Sequence, residues 1–284
     1  MRRVLIVAMA LILMMGNVSY GLDLGGAVSY LEKQKVDHWG ILALHAYGRD
    51  LKGKSLEKVN SDMTTDYESY ILGALALGQD ADAVAKKVAG AQRKSGKFAD
   101  AIDGTGEDNV GAHVWGIISL YTAGYDSYNR DRALKWLKDN QNADGGFAIF
   151  TGDKNSDLDM TAMALVAYSA LGLDSKSDEV KKAVDYLEKN LGKRESCEAY
   201  AWYILARKKL GLDINKTLYN KLLEYRLKDG SFKHLKSINK TNYMATWHGV
   251  LALADYQNEA SIFDRLRKGK TSSDQKPAVT PIRK

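Results

Sequence analysis

The sequence predicts an all-α protein built as a ring of helices, an (α/α)6 toroid in a single domain. The 284-residue chain has two prolines, and both lie at its C-terminal end, which favours uninterrupted helices before them. Six apolar segments recur along the chain, and segments with one apolar face alternate with them. The hydrophobic fraction of 45% is typical of a globular core and excludes disorder of the whole chain.

The first element is a leader over residues 1–21. It opens with two arginines, continues with an apolar run over 4–16, and has small residues before the expected cut after Gly21. This arrangement is typical of a cleavable secretory signal peptide, whereas a membrane anchor needs about 20 apolar residues. We therefore expect a secreted, cell-surface or periplasmic protein with no stable membrane insertion after signal cleavage.

Six apolar segments, most of them ending in glycine, follow the leader. A helix that is apolar on most sides must be buried on most sides, and glycine adopts the left-handed conformation of a helix C-cap at low cost. These segments are predicted as the inner helices. They span residues 38–48, 70–78, 114–124, 161–172, 200–211 and 245–254.

A second type of segment carries apolar residues at helical spacing on one side only, which is typical of an amphipathic helix with one wet face. Clear examples span residues 27–31, 84–92, 133–141, 180–187 and 218–223. We expect six buried helices in an inner ring and six amphipathic helices in an outer ring. The alternative is an open superhelical solenoid of helix pairs.

Three amphipathic segments are followed by turns in which a glycine precedes a phenylalanine by two residues. Glycine supplies the positive φ angle that such a turn needs, and phenylalanine is expected to fill the layer beneath. The turns are Gly96-Lys97-Phe98, Gly145-Gly146-Phe147 and Gly230-Ser231-Phe232.

The formal net charge of +6 is located at the ends of the chain. Residues 1–21 carry two Arg and no acid, and residues 264–284 carry seven Lys or Arg against two Asp, so residues 22–263 have a net charge of −1. A nucleic-acid-binding body is therefore not expected. Residues 268–284 lack periodicity, contain both prolines and are predicted as a flexible basic tail.

Two segments carry a resemblance to a known superfamily. The segment 136–147, with Gln141 before the glycine turn, resembles the Gln-Trp-type repeat of squalene cyclases and protein prenyltransferase β subunits. The segment 156–165 resembles the Asp-rich region of class II terpene cyclases and the matching part of the toroid domain in intrinsic factor and transcobalamin. The chain is most similar to secreted prenyltransferase/squalene oxidase repeat proteins of bacteria. The resemblance implies an α/α toroid over 22–267, a fold that hosts both enzymes and binding proteins.

The cyclase resemblance implies that Asp157 and Asp159 are catalytic, with Asp159 as the proton donor. The cyclase motif has a further Asp where this chain has Met160. The loss of one carboxylate weakens the strong acid that alkene protonation requires. Helix capping or ligand contact is the favoured interpretation of both aspartates.

The prenyltransferase resemblance implies a zinc site, for which Glu195, Cys197 and His248 are weak candidates. Met244 stands where that family has its histidine ligand, and two protein ligands make a poor zinc site. The alternative for Cys197 is a small buried hydrophobe. We expect no metal and no cofactor.

Aromatic and polar residues are concentrated in and just before the apolar segments, where a toroid would place them around a mouth and a central cavity. An aromatic wall with a few polar groups is typical of a ligand site. The alternative is that these side chains fill the barrel. The candidate ligand-binding residues are His38, Trp39, Tyr70, His113, Trp115, Trp202, Tyr243 and Trp247.

The sequence therefore favours a non-catalytic protein that binds a small apolar or corrin-like molecule, or a protein partner, at the toroid mouth. A terpene cyclase-like enzyme is the first alternative. A prenyltransferase-like zinc enzyme is the second.

Overall fold

The computed structural model describes residues 23–268, which form twelve α-helices and no β-strand. The helices are α1 (Gly25–Glu32), α2 (His38–Tyr47), α3 (Thr64–Ala76), α4 (Asp82–Gly90), α5 (Val110–Ala123), α6 (Arg130–Asp139), α7 (Leu158–Ala170), α8 (Asp178–Asn190), α9 (Cys197–Lys209), α10 (Lys216–Leu223), α11 (Tyr243–Gln257) and α12 (Ile262–Arg265). The predicted leader, and the predicted tail apart from Lys268, lie outside the described residues.

Six helices correspond to the predicted apolar segments and form a closed inner ring. Helices α2, α3, α5, α7, α9 and α11 pack in that order, and α11 packs against α2. At this last junction the rings of Trp39 and Trp247 stack with centroids 5.3 Å apart. The Tyr243 hydroxyl also donates a hydrogen bond of 2.7 Å to Asp37. The closed ring confirms the toroid and excludes the open solenoid.

The inner helices run parallel, so the ring has one N-terminal mouth and one C-terminal end. Asp37 and Tyr243, which are joined at the mouth, begin α2 and α11. At the opposite end the Ser169 hydroxyl, in the last turn of α7, donates to the backbone oxygen of Lys209 in α9 at 3.2 Å. Loops that lead from an outer helix into an inner helix therefore all meet at the mouth.

Local signals set the ends of the inner helices. Five of them begin at a side chain that accepts a hydrogen bond from a backbone N–H of the first turn, which satisfies a free helical donor. These capping residues are Asp37, Asn109, Asp157, Ser196 and Asn242. Five inner helices are followed by a glycine with φ between 66° and 100°, as predicted: Gly48, Gly78, Gly124, Gly172 and Gly211.

The outer layer differs from the prediction at one position. Helices α1, α4, α6, α8 and α10 form this layer, but residues 48–63 connect α2 to α3 without a helix. Gly53 has a φ of 82° in this segment, which interrupts a helix, while Leu51, Leu56 and Val59 pack partly buried against the core. The described residues thus contain five outer helices rather than six.

The glycine–phenylalanine turns lock neighbouring outer helices together. Gly145 has a φ of 91°, and a Cβ atom at this position would lie 2.3 Å from the backbone oxygen of Lys182 in α8. Phe147 is fully buried beneath the turn. The turn at Gly96 is equally close to α6, with 2.2 Å between such a Cβ atom and the backbone oxygen of Arg132. Both turns therefore require glycine for the close approach as well as for the backbone angle.

The last described segment closes the C-terminal end of the ring. Phe263 in α12 is fully buried and stacks on Trp202 of the interior at 6.4 Å between ring centroids. Asp264 accepts hydrogen bonds from Tyr121 of α5 at 2.5 Å and Lys209 of α9 at 2.7 Å. The segment thus spans the ring between α5 and α9. Within the described residues, this segment covers the C-terminal end of the ring.

Lys268, the first residue of the predicted tail, contacts the toroid. Lys268 donates its backbone N–H to the Thr122 oxygen at 3.2 Å and pairs its ammonium with Asp80 and Asp82, both at 2.8 Å. Among the helices of residues 23–268, none combines the length and the apolar character that crossing a bilayer requires.

Candidate functional site

The middle of the ring is filled by tryptophan. Trp39 lies 4.4 Å from Trp115, and Trp115 lies 5.0 Å from Trp202, measured between ring centroids across the ring. Trp247 stacks on Trp39. Trp115, Trp202 and Trp247 are each less than a tenth exposed. The four side chains pack against one another instead of lining an open cavity. This arrangement agrees with the alternative interpretation of the sequence, in which these side chains fill the barrel.

The other candidate ligand-binding residues occupy two different places. His38, Tyr70 and Tyr243 are half-buried near the mouth, and His38 Nδ1 lies 3.1 Å from the Ser69 hydroxyl. His113 is fully buried between the layers, where Nδ1 accepts from the backbone of Phe98 and Nε2 donates to a backbone oxygen of α6 at 3.0 Å. The prediction that His113 faces a ligand at the mouth is therefore wrong, since both ring nitrogens are used in joining the layers.

An open groove of about 470 Å³ lies at the mouth, above the first turns of α7 and α9. Its floor and sides are mainly apolar, and a few charged groups converge on it. The lining residues are Ile149, Asp157, Asp159, Met160, Met163, Arg194, Glu195, Ser196, His234 and Leu235. An apolar concavity of this size with a few polar groups has the form of a small-molecule site.

Asp157 and Asp159 face different partners within the groove. One oxygen of Asp157 accepts the backbone N–H of Met160 at 2.9 Å, which caps α7, and the other accepts from Arg194 at 2.7 Å. Asp159 accepts the Ser196 hydroxyl at 2.9 Å, with Arg194 further away at 3.4 Å. Capping and ion pairing thus occupy Asp157, while Asp159 is left as the more available carboxyl group.

The surroundings of Asp159 make it easier to protonate. Burial, reinforced by the neighbouring charge of Asp157, raises the pKa of Asp159 to about 6, although the Ser196 hydroxyl and Arg194 act in the opposite direction. The side chain is still 30% exposed, so it remains in contact with the groove. Asp159 therefore takes up a proton at a higher pH than an ordinary exposed aspartate does.

A buried carboxyl group orients His234. Glu198, in the first turn of α9, is 3% exposed and accepts from His234 Nδ1 at 2.7 Å. Its second oxygen is buried without a hydrogen-bond partner, and burial raises the pKa of Glu198. The His234 side chain is 41% exposed and lines the groove. Because Nδ1 is used by Glu198, Nε2 is the ring nitrogen left for a bound molecule.

Comparison with known proteins supports the same fold. The family model described as the squalene-hopene cyclase N-terminal domain matches residues 117–211, which include all of α6, α7, α8 and α9. Among solved structures, Candida albicans protein geranylgeranyltransferase-I complexed with GGPP is similar, with a TM-score of 0.56 and 12% sequence identity over 77% of this chain and 82% of that chain. This chain has the α/α-toroid fold, which it shares with that prenyltransferase, and its middle part matches the cyclase family model. No curated protein matches the sequence significantly.

The zinc site that the prenyltransferase resemblance implies does not fit the residues of this toroid. Glu195 accepts two hydrogen bonds from Ser237, and the fully buried thiol of Cys197 lies 3.9 Å from the oxygen of Ala245, with its pKa raised by burial. His248 Nδ1 donates to the Met244 oxygen at 2.9 Å. Within residues 23–268, no three His, Cys, Asp or Glu residues are grouped to hold a metal ion.

Sequence reasoning missed Arg194, Ser196, His234 and Glu198. Arg194 and Ser196 lie just before the predicted inner helix over 200–211, so their position at the mouth could have been found from the helix prediction. His234 lies in a long loop, and only the fold shows that its backbone oxygen accepts from Cys197 at 3.1 Å, which brings this loop over the start of α9. The burial of Glu198 had no signal in the sequence, because acidic residues in a first turn are commonly exposed.

Proposed function

We propose that this protein is an exported binding protein, and that its ligand lies in the groove above α7 and α9. The observation that carries the proposal is the groove itself. It has a volume of about 470 Å³ and a mainly apolar surface, and Asp159, Arg194 and His234 converge on it. This volume lies within the range of about 300–1,000 Å³ that is typical of small-molecule sites. Export is supported by the leader over 1–21, and a mature chain that begins at Leu22 is the expected product.

The chemistry of the groove favours a mostly apolar ligand with a cationic or hydrogen-bond-donating group. Asp157, Asp159 and Glu195 outnumber Arg194, the one Lys or Arg that lines it. Arg194 is committed mainly to Asp157, so Asp159 is the group that best receives a ligand donor. Met160 and Met163 supply adaptable apolar contacts for the rest of the molecule.

Native mass spectrometry of the protein purified from its exporting host tests the proposal. We expect a co-purified small molecule, and we expect Asp159→Asn to reduce its occupancy at least tenfold, since the variant loses the charge. Asp153→Asn is the matched control, because Asp153 is an exposed carboxylate in the loop that precedes α7 and does not line the groove. A wild-type protein without ligand from any growth condition, and without thermal stabilisation by a panel of apolar amines, contradicts the proposal.

A cyclase-like reaction is the second candidate, with Asp159 as the proton donor. It is favoured by the family match over 117–211, which contains Asp159, and by the placement of that carboxyl group in the groove. A pKa of about 6 describes a weak acid, whereas protonation of an alkene needs a strong one, and tryptophan fills the space that a polyprenyl chain would need. Incubation with polyprenyl substrates tests this candidate: a cyclised product that Asp159→Asn abolishes would support it over the binding protein.

A further inference from the structure

The exposed large apolar side chains of the described residues share one face of the molecule. Each lies in a loop that leads into an inner helix, or in the first turn of that helix, and so belongs to the rim of the N-terminal mouth. These residues are Met63, Ile149, Phe150, Ile238 and Met244, and their exposed fractions range from 44% to 58%. The outer wall and the C-terminal end of the described toroid carry none. Apolar groups gathered on one face indicate an interaction surface.

The rim has two lips of opposite charge on either side of the groove. The acidic lip, residues 140–159, contains four Asp and one Lys, and it contributes Ile149 to the groove. The basic lip, residues 224–242, contains five Lys or Arg against two acidic residues, and it contributes Leu235. The acidic lip thus has a formal excess of three negative charges, one of which, on Asp157, is paired with Arg194 outside the lip. The basic lip has a formal excess of three positive charges.

We propose that this rim binds a second copy of the same chain, face to face, about a two-fold axis that runs along the groove. A two-fold interface is self-complementary, because each patch meets the patch that its own partner presents. Such an axis places the acidic lip of each copy opposite the basic lip of the other. Phe150 of one copy then lies over Ile238 of the second, and both apolar side chains leave water.

Two lips of opposite charge favour a second copy over an unrelated partner. A surface with a single sign of charge would fit a partner of the opposite sign and repel its own copy. Here the surface carries negative charge on one side of the groove and positive charge on the other. A two-fold rotation about the groove brings each lip opposite the lip of opposite charge. The inference goes beyond the ligand site, because Phe150 and Ile238, which carry it, lie on the rim and do not line the groove.

Analytical ultracentrifugation of the exported protein over a range of concentrations tests the proposal. We expect a reversible dimer whose dissociation constant rises with added salt, since the opposing lips are exposed charges. Phe150→Asp and Ile238→Asp should each raise that constant at least tenfold. Neither side chain lines the groove, so both variants should keep the ligand occupancy of the wild type, which separates this test from that of the binding function.

Charge variants of the two lips test the pairing itself. Asp153→Lys and Lys240→Asp each reduce the formal excess charge of one lip from three to one and should each weaken the dimer. The double variant reduces the excess on both lips and should weaken the dimer most. Asp185→Lys, at an exposed position on the outer helix α8, is the matched control and should have no effect.

Three results would overturn the proposal. The first is a monomer at all concentrations up to the millimolar range. The second is a dimer that the rim variants leave unchanged. The third is a monomer that binds neutral phospholipid vesicles through Phe150, which would assign the apolar rim to a membrane surface instead.

Discussion

Asp157 and Asp159 stand two residues apart at the start of α7, and their surroundings give them different chemistry. Asp157 is held by the backbone N–H of Met160 and by Arg194, so its charge is used within the protein. Asp159 is held by Ser196 and faces the groove. The sequence left capping and ligand contact open for both residues. The structure divides them, with capping at Asp157 and access to the groove at Asp159.

Glu68 is a buried carboxyl group outside the groove, on α3. It is fully buried, and neither of its oxygens has a hydrogen-bond partner among the described residues. Burial raises the pKa of Glu68 well above its usual range, although the nearby Lys97 ammonium acts in the opposite direction. The folded protein therefore keeps a proton on Glu68 at pH values where the unfolded chain has lost it.

This difference in proton binding predicts a pH-dependent effect of Glu68→Gln. A carboxyl group with a raised pKa in the folded state loses stability as pH rises above its unfolded pKa, and the amide removes that loss. We expect the stability of the variant, relative to wild type, to increase steadily from pH 5 to pH 8 in urea unfolding. Glu57→Gln, at a side chain that is 86% exposed, should show no such trend. An equal difference at both pH values would contradict the prediction.

At the scale of the elements, Gln141 shows what the Gln-Trp-type repeat does physically. Its side-chain amide donates to the Gly145 oxygen of its own turn at 2.8 Å and to the Glu179 oxygen at the start of α8 at 2.9 Å. Gln92 makes the equivalent bonds to Gly96 and Asn129. The repeat glutamine thus ties each turn to the next outer helix, so the motif is evidence of the fold and carries no chemistry of its own.

Gln141→Ala should therefore destabilise the protein by about 1–2 kcal/mol, because two backbone oxygens lose their donor. Chemical unfolding followed by circular dichroism measures the change. Gln34→Ala is the control, since Gln34 makes one exposed bond of 3.5 Å, and it should leave the free energy of unfolding unchanged. If both substitutions changed the free energy of unfolding equally, the structural role assigned to the repeat glutamine would be contradicted.

The C-terminal closure is a second element-scale feature. Phe263 fills the end of the ring against Trp202, and Asp255 of α11 accepts the backbone N–H of Ile262 at 2.9 Å. Burial raises the pKa of Asp255 to about 6, while Arg265 acts in the opposite direction. Aromatic packing and a buried carboxyl group together hold α12 in place.

Phe263→Ala should cost about 3–5 kcal/mol, as expected for the loss of a fully buried phenylalanine. The matched control is Phe150→Ala, where the side chain is 58% exposed, and its effect on unfolding should be small. Increased hydrogen exchange in the last turns of α5 and α9 should accompany the loss at Phe263. Unchanged exchange there would mean that the segment does not close the ring.

For the whole molecule, the alternation of apolar and amphipathic segments was enough to predict the toroid, because inner and outer helices must bury different amounts of surface. It could not show that residues 48–63 lack a helix, since their apolar residues still pack on the core. Nor could it show that the tryptophans meet across the ring, because contact across the ring depends on side-chain direction. The sequence therefore predicted a ligand site at the centre of the ring, whereas the proposed site is the groove at the mouth.

The leader and the groove illustrate the remaining limits of a local pattern. The export signal predicted for residues 1–21 lies outside the described residues, so secretion stays a prediction. The groove forms only when the loop that contains His234 lies beside Asp159 and Arg194, residues that are distant in sequence. Such a site depends on the closed ring and not on any one motif.

A crystal structure of the exported protein with its co-purified ligand, or with the best-stabilising apolar amine, tests the central claim most directly. The account predicts ligand density in the groove, with a donor group within hydrogen-bond distance of Asp159 and apolar atoms against Met160 and Met163. Density among the tryptophans of the ring, or at the C-terminal end beside Phe263 while the groove stays empty, would contradict it.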